Sequence, residues 1–152
     1  GGHMRLSFST LFATAGVLFA ATAFADSDKS SAEQAAESCL TDKIWSGYSD
    51  GWAVRTATTT TLKQDEHRVY LLTLYAGNEY KLQVCADKGA KNVDLILHDL
   101  DGKELLRDES SSREPTVLYK PEETQTYYVA VQAADLDENA ENAGVALAVT
   151  YR

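Results

Sequence analysis

Residues 93–107 read VDLILHDLDGKELLR, a sequence typical of two short β-strands joined by a tight turn. Asp101-Gly102 is a strong signal for a hairpin with a two-residue loop, because both residues tolerate positive φ angles. Apolar side chains form the majority of residues 93–100 before the turn, and Leu105 and Leu106 follow it. This stretch therefore predicts an antiparallel β-hairpin.

Short apolar runs bounded by turn residues recur through most of the chain. Further strands are predicted at residues 53–62, 69–76, 80–86, 116–120, 126–134 and 145–151. Gly77-Asn78 is predicted to form the turn that separates two of them. Eight short strands at regular spacing are typical of a β-sandwich, whereas a βαβ fold needs intervening helices. We therefore predict an all-β protein, an antiparallel jelly-roll-like β-sandwich of about eight strands.

One short helix is predicted before the first strand, over residues 31–44. Ser30 followed three residues later by Glu33 fits a capping box, and small apolar residues then recur at helical spacing. On the last strand, Ala146 and Ala148 share one face, and these small side chains provide a surface on which a helix can rest.

The two cysteines of the chain are Cys39, in the predicted helix, and Cys85, in the predicted strand 80–86. Alternation along that strand directs Tyr80 and Val84 to the core and Cys85 to the opposite face. In an oxidising compartment an isolated pair is most simply a disulfide, whereas a redox or metal pair usually has CxxC spacing. A Cys39–Cys85 disulfide would pin the helix across the outside of the sheet.

The beginning of the chain predicts targeting rather than fold. Residues 1–3 precede a methionine and are interpreted as a remnant of an expression tag. Residues 4–25 contain a basic residue, an apolar stretch and the cleavage sequence Ala23-Phe24-Ala25, which together are typical of a secretory signal peptide. An uncleaved membrane anchor is the alternative. The remaining chain divides into a helix and aromatic loop, 26–50, and a sandwich, 51–152, and is expected to be periplasmic or secreted.

The charge of the chain restricts its partners. The sequence carries 23 acidic and 14 basic residues, a formal net charge of −9. Signal cleavage would leave 13 basic and 23 acidic residues, or −10, because Arg5 is the only charged residue removed. Nucleic acids and anionic membranes need a cationic surface, so neither is expected as a partner after cleavage. The candidate partners that remain are a protein, which can be cationic, and a cell-wall glycan.

No set of catalytic residues is recognisable. His67 lies in a charged turn and His98 near the end of a strand, without a nucleophile elbow or other signature of a catalytic triad. Ser110-Ser111-Ser112 lies in a hydrophilic segment that is typical of a solvated loop. The sequence therefore predicts a protein that is not an enzyme and has no catalytic residues.

A calcium site is the one metal site that the sequence brings into question. Asp135, Asp137 and Asn139 place oxygen ligands at the first, third and fifth positions of an EF-hand-like loop. The sixth position, which needs glycine, is Ala140, and the twelfth, which needs glutamate, is Ala146, so an EF-hand is excluded. We expect no cofactor, and a looser calcium site formed by the three oxygen ligands is the alternative.

An aromatic segment, residues 45–52, contains both tryptophans and is predicted to be a turn-rich loop. Trp45, Tyr48 and Trp52 lie among glycine and serine residues. Rigid aromatic side chains on a loop can stack on sugars or anchor a protein interface. The alternative is that one or both tryptophans close the end of the sandwich beneath the helix. This interpretation is favoured for Trp52, because Trp52 leads directly into a strand.

Three segments resemble the bacterial pre-peptidase C-terminal domain, a β-sandwich found on secreted proteins. They are residues 69–77, ending at a glycine turn, 92–99 followed by Asp101-Gly102, and 126–131 with its Tyr-Tyr-Val strand. The region from His67 onward is similar to that family over about two-thirds of the mature chain. The resemblance implies architecture, because these motifs carry no catalytic residues.

A weaker similarity links the chain to periplasmic inhibitors of lysozyme, in size, signal peptide and strand layout. Ser46-Gly47-Tyr48 partly matches the Ser-Gly-x-Tyr motif of some inhibitors, with the tyrosine one position earlier. The N-terminal helix and its disulfide depart from that pattern. The function predicted from the sequence is therefore a non-enzymatic protein that binds a protein or glycan. A lysozyme inhibitor and a carbohydrate-binding module are the alternatives.

Overall fold

Two four-stranded antiparallel sheets face each other in the computed structural model, which describes residues 29–152. The elements are α1 (Ser31–Tyr48), β1 (Ala53–Leu62), β2 (His67–Leu74), β3 (Tyr80–Ala86), β4 (Ala90–His98), β5 (Glu104–Asp108), β6 (Thr116–Tyr119), β7 (Gln125–Leu136) and β8 (Ala143–Tyr151). Sheet 1 has the order β1-β8-β3-β6 and sheet 2 the order β2-β7-β4-β5. This is the strand order of a jelly roll, so the predicted fold class is confirmed. The expression remnant and the signal peptide predicted for residues 1–25 lie outside the described residues.

The hairpin between β4 and β5 forms where it was predicted, but its loop has three residues rather than two. The Gly102 N–H donates to the Asp99 carbonyl at 3.0 Å, and the Asp99 N–H donates to the Lys103 carbonyl at 2.9 Å. Gly102 has a φ of +86°, as expected after a type I turn in a three-residue loop. The Asp99 carboxylate accepts hydrogen bonds from the N–H groups of Asp101 and Lys103, which stabilises this longer loop.

The core lies between the two sheets and is built from alternate residues of the strands. Tyr80 and Val84 of β3 point into it, as alternation predicts, and so do apolar side chains of β4, β7 and β8. The largest fully buried side chains are Tyr80, Tyr127, Leu62, Leu74, Leu82, Leu95 and Leu97. The central strands β3, β4, β7 and β8 thus bury one face against the opposite sheet, which is the main source of stability in a sandwich.

Helix α1 lies across the outer face of sheet 1. Its Ala36 and Leu40 are buried against Cys85, Ala146 and Ala148, in a cluster separate from the main core. The expected Cys39–Cys85 disulfide is present, with the two Cα atoms 5.9 Å apart. Small side chains on both elements allow the helix to approach the sheet closely. No helix within residues 29–152 is both long and apolar enough to cross a membrane.

Candidate functional site

The last turn of α1 carries two exposed aromatic side chains, and the prediction that they lie on a loop is wrong. Trp45 and Tyr48 belong to the helix, three residues apart, so they occupy neighbouring positions on one face. Each is 67% exposed, and their ring centroids are 5.6 Å apart with the planes tilted by 55°. We call these two side chains the aromatic pair.

The helix continues to Tyr48 because residues after it complete a C-terminal capping motif. The Gly51 N–H donates to the Tyr48 carbonyl at 3.1 Å, and the Trp52 N–H donates to the Gly47 carbonyl at 3.4 Å. Gly51 has a φ of +89°, the left-handed conformation that this Schellman motif requires. The cap therefore holds the aromatic pair on regular helix, directly before the chain turns into β1.

Trp52 is buried, in agreement with its predicted packing role beneath the helix. It is 7% exposed, and two cations lie close to its indole ring. The Lys81 Nζ is 4.5 Å and the Arg152 guanidinium carbon 4.4 Å from the ring centroid. Burial lowers the pKa of Lys81 below its ordinary value, although the carboxylate of Asp50 opposes the shift. Such cation–π contacts anchor the indole, which lies beside Gly47 in the last turn of α1.

The disulfide is also the centre of the one metal-like cluster among the described residues. The Sγ atoms of Cys39 and Cys85 and a carboxylate oxygen of Glu114 all lie within 4.8 Å of one another. Metal binding by cysteine requires the thiolate, and both sulfurs here are joined to each other. Glu114 instead forms an ion pair of 2.9 Å with Lys43 of α1. The cluster therefore fastens the helix to the sandwich.

The three calcium candidates lie at the end of β7 and in the following turn. Asp135 is an exposed residue of β7, whereas Asp137 and Asn139 belong to the turn. The Asp137 carboxylate accepts a hydrogen bond of 3.1 Å from the Asn139 N–H, which is the usual way an aspartate closes a turn. The calcium site stays a prediction.

The histidines and serines considered for catalysis are separated by the fold. His67 begins β2 and His98 ends β4, with β7 between these two strands in sheet 2. Ser110 donates to the Asp108 carboxylate at 2.7 Å, and the Ser112 Oγ accepts the Glu114 N–H at 2.9 Å. Both serine hydroxyls therefore stabilise the loop between β5 and β6.

Sequence reasoning missed a groove at one end of the sandwich. It has a volume of about 350 Å³ and is lined by Val54, Arg55, Tyr75, Asn78, Tyr80 and Tyr151. We call it the tyrosine groove. Its volume lies at the lower end of the range for small-molecule sites, about 300–1,000 Å³. These residues come from the beginning of β1, the turn after β2, the start of β3 and the end of β8.

A β-bulge directs Arg55 into this groove. Val54 pairs with Thr150 and Thr56 with Val149, so Arg55 is an extra residue in β1. Bulges bend a strand and redirect a side chain, and they are frequent beside functional sites. The Arg55 guanidinium lies over the Tyr75 ring, 5.2 Å from its centroid, and donates to the Thr73 carbonyl. Arg55 thus links the edge strands of the two sheets.

On the outer face of sheet 2, Asp94 is a carboxylate in an unfavourable environment. One of its oxygens is buried and has no hydrogen-bond partner among the described residues. Burial raises the pKa of Asp94 above its ordinary value, and the charge of Glu109 adds to this effect while Arg107 opposes it. The folded state therefore binds this proton more tightly than the unfolded chain does.

The raised pKa of Asp94 predicts a pH-dependent effect of Asp94→Asn. The contribution of the protonated Asp94 carboxyl group to the free energy of unfolding is fully present below the pKa of the unfolded chain. It is lost as pH rises through the pKa of the folded state. The substitution removes this unfavourable charge, so at pH 7 it is expected to stabilise the protein. The gain is limited to about 1 kcal/mol, because water screens the partly exposed carboxylate. Urea unfolding at pH 7 and at about pH 3, below the ordinary pKa, tests this. An equal effect at both pH values would contradict it.

The fold defines the protein as a jelly-roll β-sandwich with a helix stapled to one face, and comparisons with known proteins agree at that level. No protein-family model matches the chain, and no curated protein matches it. Among solved structures it is similar to the pre-peptidase C-terminal domain of a collagenase from Bacillus anthracis. That match has a TM-score of 0.50 and 15% identity, and it covers 63% of this chain and 89% of that chain. The predicted resemblance to this kind of domain is thus confirmed for the fold.

A second similar structure is PliG from Aeromonas hydrophila, a periplasmic lysozyme inhibitor of g-type lysozyme. It has a TM-score of 0.48 and 16% identity, and the match covers 68% of this chain and 90% of that chain.

Proposed function

We propose that this protein is a non-enzymatic binding protein that acts outside the cytoplasm, in the periplasm or after secretion. It recognises a protein or glycan partner through the aromatic pair, Trp45 and Tyr48. The observation that carries the proposal is the exposure of two large rings, 67% each, on a helix that is capped and fastened to the sandwich. Large aromatics at interfaces are frequent hot spots because they bury much area at low entropic cost.

The rigid support of the aromatic pair favours binding. Cys39 holds α1 through the disulfide, Lys43 holds it through the ion pair with Glu114, and Gly51 ends it in a cap. A preformed surface loses little conformational entropy when the partner binds. The disulfide itself supports the extracytoplasmic location, since such bonds persist in oxidising compartments.

Inhibition of a lysozyme is the second candidate function. Its support is the net charge of −9, because an acidic inhibitor is steered electrostatically toward a cationic enzyme. A carbohydrate-binding module is the other alternative, in which Trp45 stacks on a sugar ring. The two alternatives differ in salt dependence. Added salt shortens the Debye length and weakens electrostatic steering, so it should weaken binding to a cationic lysozyme more than stacking on a sugar ring.

The double substitution Trp45→Ala/Tyr48→Ala is expected to weaken partner binding by about tenfold or more, since each hot-spot ring contributes over about 1 kcal/mol. Its free energy of unfolding is expected to stay within about 0.5 kcal/mol of the parent, because both rings are exposed. Binding is measured by titration against lysozymes of several types and against cell-wall glycans. The fluorescence of a Trp52→Phe variant, in which Trp45 is the remaining tryptophan, reports on the helix end.

Leu71→Ala is the matched control, because Leu71 is 64% exposed on sheet 2 and lies apart from α1. A loss of binding in this control equal to that of the double variant would contradict the assignment to the aromatic pair. Failure to slow any lysozyme removes the inhibitor alternative, and unchanged Trp45 fluorescence with every glycan counts against a carbohydrate-binding module.

A further inference from the structure

The guanidinium of Arg55 is a cation that lines the tyrosine groove. Arg55 takes part in none of the ion pairs that residues 29–152 form. One of its N–H groups donates to the Thr73 carbonyl, and its central carbon lies over the Tyr75 ring. Arginine has five N–H donors, so others remain for a ligand. In a chain of net charge −9, this site has local charge of the opposite sign and suits an anion.

The Tyr80 hydroxyl provides a second, buried polar group in the groove. It accepts the Tyr75 N–H at 2.9 Å and the Asn78 amide at 3.4 Å. Its own proton has no acceptor among the described residues, although Tyr80 is only 1% exposed. A buried donor without an acceptor carries a desolvation cost that a ligand oxygen in the groove would remove.

The ring of Tyr151 provides an apolar wall for the same groove. It is 37% exposed, and its centroid lies 6.5 Å from that of Tyr80. Aromatic faces carry negative partial charge, which complements the C–H groups on the apolar face of a sugar ring. The groove therefore combines a cation, a hydrogen-bond donor and a stacking surface within about 350 Å³.

We propose that the tyrosine groove is a binding site for a carboxylated saccharide. The Arg55 guanidinium binds the carboxylate, the Tyr80 hydroxyl donates to a sugar oxygen, and the Tyr151 ring packs against the sugar. Arginine matches the planar geometry of a carboxylate, and a charge-assisted hydrogen bond is roughly twice as strong as a neutral one. This site is independent of the aromatic pair, so it stands whether or not Trp45 and Tyr48 bind a partner.

The proposal is tested by NMR titration of the full chain with linear trigalacturonate and with its methyl ester, which has the same rings without the charges. We expect the acid to shift the amide signals of residues around Arg55 and Tyr151. The ester is expected to bind with an affinity at least about tenfold lower. Higher salt should weaken binding of the acid only.

Matched variants separate a ligand contact from a structural role. Arg55→Gln is expected to weaken binding of the acid about tenfold, whereas Arg55→Lys, which keeps the charge but loses the planar fork, should lie between Gln and the parent. Tyr151→Ala should lose binding that Tyr151→Phe retains. Thermal unfolding of each variant shows whether the groove is still folded, because Arg55 also links the two sheets.

Several results would overturn the proposal. Equal binding of the acid and its ester, no binding of either, or an Arg55→Gln variant that binds normally would each exclude the charge-based site. Equally tight binding of a short acetylated peptide with a free terminal carboxylate would show that no sugar is recognised. Trp45→Ala/Tyr48→Ala should leave saccharide binding unchanged, so failure of this site and failure of the partner surface are distinguishable.

Discussion

Removal of the Cys39–Cys85 disulfide is expected to lower the free energy of unfolding by about 4 kcal/mol. The bond joins residues 46 positions apart, and the chain-entropy model assigns about this much to a loop of that length. This loss is a large part of the total stability, because domains of this size have free energies of unfolding of about 5–15 kcal/mol. Chemical denaturation of the oxidised protein, the reduced protein and the Cys39→Ala/Cys85→Ala variant measures it.

Besides this effect on the unfolded chain, loss of the cross-link should weaken the docking of α1. The helix buries only Ala36, Leu40 and Gly47, so its apolar contact with sheet 1 is small. Without the cross-link, hydrogen exchange in α1 should accelerate more than exchange in β3 and β8, which pair with each other. A difference below about 1 kcal/mol between oxidised and reduced protein would contradict the entropic account.

Reduction should also weaken any binding that depends on the aromatic pair. Trp45 and Tyr48 lie on the same helix as Cys39, so release of the helix would remove their preorganisation. Binding in the tyrosine groove should be far less sensitive, because its residues belong to the strands and the turn after β2. The disulfide therefore distinguishes the two candidate sites by a change that touches neither.

Strands were predictable from sequence because alternation and turn residues agree locally. The bounds predicted for β1 and β3, 53–62 and 80–86, coincide with those in the structure. The β4–β5 loop was predicted one residue too short, because the Asp-Gly signal does not include the side chain of Asp99, which bonds to the loop backbone. Periodicity thus predicts elements well, whereas side-chain bonds within a loop determine its length.

The end of α1 was wrongly predicted because serine, glycine and tyrosine have low helix propensity. Tertiary packing overrides that propensity here, since Gly47 lies against Trp52 and the Gly51 cap ends the helix. Gly51 was the available signal, because a glycine three residues after Tyr48 marks a candidate C-terminus. The tyrosine groove had no comparable signal, because four separate segments meet there and a bulge directs Arg55.

The substitution Gly144→Ala is expected to destabilise the protein by about 2–3 kcal/mol through overpacking. A Cβ atom at Gly144 would lie 2.2 Å from the carbonyl oxygen of Ala32 and 2.7 Å from the backbone nitrogen of Glu33. Both atoms belong to the first turn of α1, so the strain cannot be relieved by rotating a side chain. The helix must move away from β8, which opposes the disulfide that holds it.

Gly47→Ala is the matched control, for which no loss of stability is expected. A Cβ there would meet the Lys81 Nζ at 3.3 Å, the end of a flexible side chain, instead of backbone. Alanine is favoured over glycine within a helix by up to about 1 kcal/mol, so this variant should be as stable as the parent or more so. Urea unfolding of both variants tests the pair. Surface substitutions usually change the free energy of unfolding by no more than about 0.5 kcal/mol. If the Gly144→Ala variant stays within that range of the parent, the close approach of α1 to β8 is not required for stability.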